Sequence, residues 1–263
     1  MKTSDEMDAE KQTAKIMASL SVRRSRRALL KGAAVGATGL AALGGAAGLL
    51  LPKRSAHAQD DEGAEDSIKT IFSIAATAER LAVTFYSNGV KNFGKLGIHG
   101  LNADDIEAAL VEEQIHELFF VANGGAPLTS TFSFPHGQAT FENLQLFIAT
   151  QQQLEGVFDS AFLAAIKEFA QLGRPDLAQI AGQIACIESE HRALGRQIAG
   201  LSPADNWAFA PVFVESVGDA PAVVAAAGFL SPVPGNTFTY HQVSTVEPGV
   251  TFRTPFHVGE DND

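Results

Sequence analysis

The stretches E-Q-I-H at residues 113–116 and E-S-E-H at residues 188–191 decide the fold of this 263-residue chain. In each stretch a glutamate precedes a histidine by three positions, which puts both side chains on one face of a helix with their Cβ atoms about 5–6 Å apart. Apolar residues recur at three- and four-residue steps through both stretches, which is the period of an amphipathic helix. The glutamate and histidine side chains therefore lie on the apolar faces of two predicted helices.

The same periodicity predicts four helices between residues 67 and 200. They cover residues 67–89, 102–123, 141–172 and 175–200. Short connections join the first helix to the second and the third to the fourth. The stretch between the second and the third has no helical period and contains two prolines. At about 3.3 Å per residue it is long enough to cross the length of a bundle. The sequence thus predicts an all-α four-helix bundle with a long crossover between helices 2 and 3.

Glu79 on the first predicted helix and Glu155 on the third also share apolar faces. Two residues on antiparallel neighbouring helices face each other when the midpoint of their numbers falls in the connection between those helices. The midpoint is 96 for Glu79 and Glu113 and 171.5 for Glu155 and Glu188, and both values fall at or beside the short connections. We therefore expect the four glutamates at mid-height in the bundle.

These glutamates have too few cations beside them. An ionised carboxylate in a bundle interior costs several kcal/mol unless a cation or a metal accompanies it, and Arg80 and Lys167 lie off the apolar stripes. The pattern therefore predicts a divalent metal site. Its six candidate ligands are Glu79, Glu113, His116, Glu155, Glu188 and His191. The alternative is a degenerate bundle in which the same residues form only a buried hydrogen-bond network.

One glutamate from each of two helices, with E-x-x-H from the other two, resembles the ligand pattern of ferritin-like di-metal carboxylate proteins. Within that superfamily the chain is similar to the bacterial ferritin-like, desiccation-related group, through E-x-L-x-x-x-F-Y at residues 79–86, G-G at 124–125 and I-E-S-E-H at 187–191. The resemblance implies two iron or manganese ions, with iron as the first choice. Glu113 and Glu188 would bridge or chelate, and each histidine would bind one ion. Glu79 and Glu155 would be terminal ligands.

Three further residues are candidates for supporting the ligands. Tyr86, two turns after Glu79, would hydrogen-bond a ligand or pass an electron, or it is a plain core tyrosine. Glu117 would bridge or support the ligands, or it is exposed. Gln151 would orient Glu155 or fill a polar pocket. Glu112 and Glu190 are turned away from the apolar stripes, so we expect them to face solvent.

The N-terminal stretch predicts an export signal. S-R-R-A-L-L-K at residues 25–31, which includes Arg26 and Arg27, precedes an uncharged stretch over 32–51 and A-H-A at 56–58. This order resembles a twin-arginine signal, which implies the twin-arginine translocase as a partner, cleavage near Ala58 and a periplasmic or extracellular location. The alternative is a single membrane span over 32–51 that leaves a tethered form. No later segment is long and apolar enough to span a bilayer.

The charge is divided unequally along the chain. Residues 1–58 carry a net charge of +6 and residues 59–263 a net charge of −17, so the body lacks the clustered cations that a nucleic-acid partner requires. One cysteine excludes an intrachain disulfide framework.

Residues 59–66 are expected to form an acidic disordered lead to a bundle over residues 67–200. Residues 201–263, which hold seven of the eleven prolines, are expected to form an extension of loops and short strands, including one near 237–240.

The predicted function follows from the metal site. A bundle with two iron or manganese ions would use dioxygen or peroxide as substrate, and would oxidise iron or dispose of peroxide during oxidative or desiccation stress. The alternative is a non-catalytic stress or envelope protein that uses the bundle as a scaffold and its acidic surface to hold water and cations. Assembly of the chain into a homo-oligomer is left open by the sequence.

Overall fold

The computed structural model describes residues 56–246 and 249–255. The elements in chain order are α1 (Ala56–Lys91), α2 (Phe93–Leu96), α3 (Leu101–Ala122), β1 (Thr131–Phe132), α4 (Leu144–Gln171), α5 (Pro175–Ile198), α6 (Ala220–Ala226) and β2 (Phe238–Thr239). Short 3-10 helices lie at Gly137–Phe141 and Val217–Asp219. The sequence-based assignments to residues 1–55, including Arg26 and Arg27, lie outside the described residues.

The four long helices form two hairpins, as the sequence predicts. α1 packs along α3, α4 packs along α5, and the two hairpins face each other. The link from α4 to α5 is tight because Gly173 adopts a positive φ of 71° and Pro175 occupies the first turn of α5. The predicted all-α bundle with a long crossover is confirmed.

The helix ends differ from the prediction by three residues or more in two places. α1 begins at Ala56, so residues 59–66, which were predicted to be a disordered lead, are helical in the structure. No proline interrupts this stretch, and its alanine, glutamine and two glutamates are good helix formers, so the helix extends through it. The third long helix, α4, begins at Leu144 rather than near 141, because the Asn143 side chain caps it by accepting a hydrogen bond from the Leu146 backbone at 3.0 Å.

The crossover and the C-terminal extension are joined. β1 in the crossover pairs antiparallel with β2 in the extension, with Phe132 opposite Phe238. β2 falls within the extended piece predicted at 237–240. The short helix α6 in the extension was not predicted. Phe134 and Phe229 pack edge to face nearby, at 6.1 Å between ring centroids. The extension thereby covers the bundle at the level of the crossover.

The core consists of two apolar clusters separated by a polar layer. On α1 one cluster includes Ile71 to Ala76 and the other begins at Leu81, with Glu79 between them. The other three long helices also carry buried polar side chains between or beside these clusters. No helix within residues 56–246 and 249–255 combines the length and the hydropathy of a membrane span.

Candidate metal centre

The six predicted ligands meet in the polar layer as two overlapping groups. The first group is Glu79, Glu113, His116 and Glu188, and the second is Glu113, Glu155, Glu188 and His191. Within each group the four ligand atoms lie within 4.8 Å of one another. Glu113 and Glu188 belong to both groups, and each histidine belongs to one.

Both histidines turn their Nδ1 atoms towards the shared glutamates. His191 Nδ1 lies 3.2 Å from Glu113 Oε1 and 3.5 Å from Glu188 Oε2. His116 Nδ1 lies 3.5 Å from Glu113 Oε2 and 3.8 Å from Glu188 Oε1. Two atoms that each lie about 2 Å from one ion are themselves about 3–4 Å apart, so these separations suit donors that share an ion.

The ligand atoms are buried and lack hydrogen-bond partners. Glu79, Glu113 and Glu188 are fully buried, and all six of their carboxylate oxygens lack a hydrogen-bond partner within residues 56–246 and 249–255. Glu155 Oε2, His116 Nδ1 and His191 Nδ1 are unpartnered as well. Buried polar atoms are normally paired, so this many in one place calls for a missing partner. Oxygen and imidazole donors fit iron or manganese, so these groups could hold metal ions.

Burial and the mutual repulsion of the acids shift their pKa values. Burial, and then the nearby Glu113, raise the pKa of Glu79 well above its usual value. Burial, and then Glu188, do the same to the pKa of Glu155. Burial works against charge on Glu113 too, but His116 and His191 beside it hold the pKa of Glu113 below its usual value. Without metal, protons therefore supply part of the compensation that bound cations would give.

Tyr86 and Gln151 support the Glu155 side of the centre. The Tyr86 hydroxyl donates a hydrogen bond to Glu155 Oε1. Gln151 Nε2 donates to the Tyr86 oxygen at 3.0 Å and to the His191 carbonyl at 2.8 Å. Tyr86 thus contacts a candidate ligand, and Gln151 acts on Glu155 through Tyr86 rather than directly.

Glu112 is a member of the site that sequence reasoning missed. His191 Nε2 lies 2.8 Å from Glu112 Oε2, so the imidazole donates to this carboxylate while its Nδ1 faces the ligand groups. Glu112 was expected to face solvent, but its side chain is only 28% exposed. It is turned away from the stripe of its own helix and towards α5. No sequence signal identifies it, because the packing of α3 against α5 decides which flank of α3 faces His191.

Glu117 belongs to neither ligand group. It is buried, and the Arg80 guanidinium donates to it at 2.8 Å, so the interpretation of Glu117 as exposed is wrong. Arg80 also donates to Ser130 in the crossover and lies over the Tyr240 ring at 4.7 Å from its centroid. Arg80 is therefore off the stripe, as predicted, but it compensates an acid one turn away from the centre and ties the crossover and the C-terminal extension to α1.

Asp159 is a second buried acid that the sequence did not single out. Ser189 donates to it at 2.9 Å, and burial raises the pKa of Asp159 to about 7. The nearby Arg192 is also buried, lies over the Trp207 ring at 3.6 Å from its centroid and donates to Asn206. This cluster anchors the start of the C-terminal extension to α5.

Comparison with protein families adds to this geometry. The model of the ferritin-like domain matches residues 68–201, just over half of the chain and all of its two hairpins except the first turns of α1. The chain belongs to the ferritin-like family. The match begins and ends within one residue of the predicted bundle, 67–200. Compared with curated proteins and with solved structures, the chain shows no significant match.

Proposed function

We propose that this ferritin-like protein holds two iron or manganese ions and oxidises ferrous iron or disposes of peroxide. One observation carries the proposal: two four-residue donor groups share Glu113 and Glu188 in a buried layer, where nine of their carboxylate and imidazole atoms have no hydrogen-bond partner among the described residues. Two ions held there would supply two-electron exchange with dioxygen or peroxide. The donor set suits either metal and does not choose between them.

The chain's own residues would position the ligands and keep water away. Tyr86 holds one oxygen of Glu155, and Glu112 holds Nε2 of His191, so these two ligands keep one orientation. The apolar clusters on both sides of the layer exclude bulk water. In that surrounding each electrostatic contact between ligand and ion is stronger than at the surface.

The proposal is tested by elemental analysis of the full chain. The chain is purified from the cytoplasm of cells that are grown with iron and manganese. We expect about two ions per chain, and less than one would overturn the proposal. The variant Glu113→Ala/Glu188→Ala should lose both ions. Its matched control is Glu107→Ala/Glu190→Ala, which removes two exposed glutamates from the same two helices and should keep them.

Turnover separates catalysis from a scaffold role. The metal-loaded protein should oxidise ferrous iron with dioxygen or consume peroxide at a rate that the Glu113→Ala/Glu188→Ala variant lacks. A protein with both ions bound and neither activity would favour a non-catalytic stress or envelope protein.

We also propose that the chain is exported, on the twin-arginine pattern at residues 25–31. A metal centre loaded in the cytoplasm suits a route that carries folded proteins. The variant Arg26→Lys/Arg27→Lys should remain in the cytoplasm in cell fractionation, while the natural chain is processed and recovered outside it. Equal distribution of the two chains would contradict export by this route, and processing at another position would contradict cleavage near Ala58.

A further inference from the structure

The two halves of the centre differ at one pair of matching positions. Glu112 precedes Glu113 on α3, whereas Ile187 precedes Glu188 on α5. Because the two E-x-x-H stretches occupy matching places in their hairpins, Ile187 stands where a carboxylate partner for His116 would be. His191 thus has a carboxylate beside its Nε2 atom, whereas the matching position for His116 holds an apolar side chain.

In the Glu155–His191 half both candidate ligands have a side-chain hydrogen-bond partner. The His191 side chain is 1% exposed, and its Nε2 is engaged by Glu112 at 2.8 Å. Tyr86 donates to Glu155, and Gln151 connects Tyr86 to the backbone of His191. Both ligands of this half are therefore oriented by hydrogen bonds before any ion arrives.

The Glu79–His116 half has no such support. Neither carboxylate oxygen of Glu79 has a hydrogen-bond partner among the described residues, and none of these residues engages the His116 ring as Glu112 engages Nε2 of His191. The His116 ring borders a groove of about 490 Å³ between α3 and α5, which Ile184 and Ile187 also line. Residues 252–255 of the extension form part of its wall. This half therefore lies closer to solvent and is less firmly oriented.

We infer that the two ion positions are unequal: the Glu155–His191 position binds its ion tightly, and the Glu79–His116 position exchanges its ion through the groove beside His116. The inference rests on the proposed function, since it requires two ions. A carboxylate that orients a ligating histidine contributes about 10–100-fold to metal affinity, so the absence of a counterpart to Glu112 predicts a difference of that size. Glu112 is then a positioning residue for one half only.

The inference is tested by calorimetric titration of the metal-free full chain, with Mn²⁺ as the only added metal. We expect two binding steps whose dissociation constants differ about 10–100-fold. Glu112→Gln should weaken the tighter step by about the same factor and leave the other step unchanged. Ile187→Glu should strengthen the weaker step by supplying the absent carboxylate. Glu107→Gln, an exposed change on α3, is the control and should alter neither step.

Two further variants assign the steps. His116→Ala should remove the weaker step and His191→Ala the tighter one. When a chelator is added to the protein loaded with Mn²⁺, one ion per chain should leave quickly and the other slowly, and Glu112→Gln should make both leave quickly.

The outcomes separate this inference from the proposed function. Binding of two ions with equal affinity, or equal weakening of both steps by Glu112→Gln, would overturn the inference and leave the di-metal centre intact. Binding of no ion would overturn both. Because Ile187→Glu acts on the opposite half, its result stands even if Glu112→Gln folds poorly.

Discussion

Gly195 on α5 leaves the space that the Gln151 side chain fills. A Cβ atom at position 195 would lie 1.6 Å from Gln151 Oε1 and 2.5 Å from its Cδ, far inside contact distance. Gln151 in turn holds Tyr86 and the His191 backbone. A position without a side chain, one turn after a candidate ligand, is therefore part of the support of the candidate metal centre.

Gly195→Ala should destabilise the protein by about 1–3 kcal/mol, because the added methyl group must displace the buried Gln151 amide. Gly182→Ala is the matched control on the same helix. A Cβ there meets only Ile166 Cδ1 at 3.7 Å, an ordinary contact, so alanine should stabilise the helix by about 0.5–1 kcal/mol. Urea denaturation of the metal-free variants measures both effects. Equal and small changes would show that Gln151 has room to move.

Tyr86→Phe should weaken Mn²⁺ binding at the Glu155–His191 position about 10-fold, because Glu155 loses the hydrogen bond that orients it. Unfolding of the metal-free protein should become easier by about 1–2 kcal/mol. Tyr240→Phe is the control: Tyr240 contacts Gln114 and Arg80, away from the ligand groups. It should affect stability and leave Mn²⁺ affinity unchanged. An unchanged titration of Tyr86→Phe would mean that the hydroxyl does not position Glu155.

Metal binding should release protons. Glu79 and Glu155 have raised pKa values in the metal-free protein, so they retain protons at pH values where exposed glutamates have lost them, and an ion must displace those protons to bind. The apparent Mn²⁺ affinity should therefore rise with pH. Calorimetry at one pH in buffers of different ionisation enthalpy counts the protons released. A binding enthalpy that is independent of the buffer would contradict the raised pKa values.

Glu79→Gln should have opposite effects on the metal-free and the metal-loaded protein. The pKa of Glu79 is higher in the folded than in the unfolded chain, so its contribution to stability is greatest below about pH 4.5 and is lost as the pH rises towards the folded value. Glutamine is neutral and of equal size, so the variant does not lose this stability as the pH rises. Metal-free Glu79→Gln should thus be more stable than the natural protein above about pH 4.5, with a difference that shrinks in acid.

With Mn²⁺ in excess the order should reverse, because the amide is a poorer ligand than the carboxylate and the variant gains less stability from binding. Thermal unfolding from pH 4 to pH 8, with and without the ion, measures both effects. The exposed change Glu107→Gln should show neither. A metal-free Glu79→Gln variant less stable than the natural chain at pH 7 would contradict the prediction.

The helices and the candidate ligand set were predictable because both depend on local periodicity. The spacing of glutamate and histidine within 113–116 and 188–191 places each pair on one helix face, and the short hairpin connections bring Glu79 and Glu155 to the same height. Glu112 was not predictable in this way. Its role depends on how α3 is rotated relative to α5, and no spacing along one helix contains that information.

The packing of the crossover and the extension over the bundle could not be predicted from local periodicity either. The crossover and the extension pair through β1 and β2. The paired residues Phe132 and Phe238 are 106 positions apart along the chain. Two-residue strands carry too little periodicity to predict a partner. The contacts of Arg80 with Glu117 and Ser130 likewise arise only when distant segments pack together.

The sequence by itself determined four helices, their pairing into hairpins and the six acid and imidazole groups at mid-height, because the helical repeat and short connections leave few other arrangements. Only the tertiary structure decided which candidate ligands are held by a hydrogen bond to a side chain of another helix. A hydrogen bond between helices depends on their relative rotation and closeness to within about 1 Å. That is why Glu112 supports His191, while Ile187 leaves His116 beside a groove.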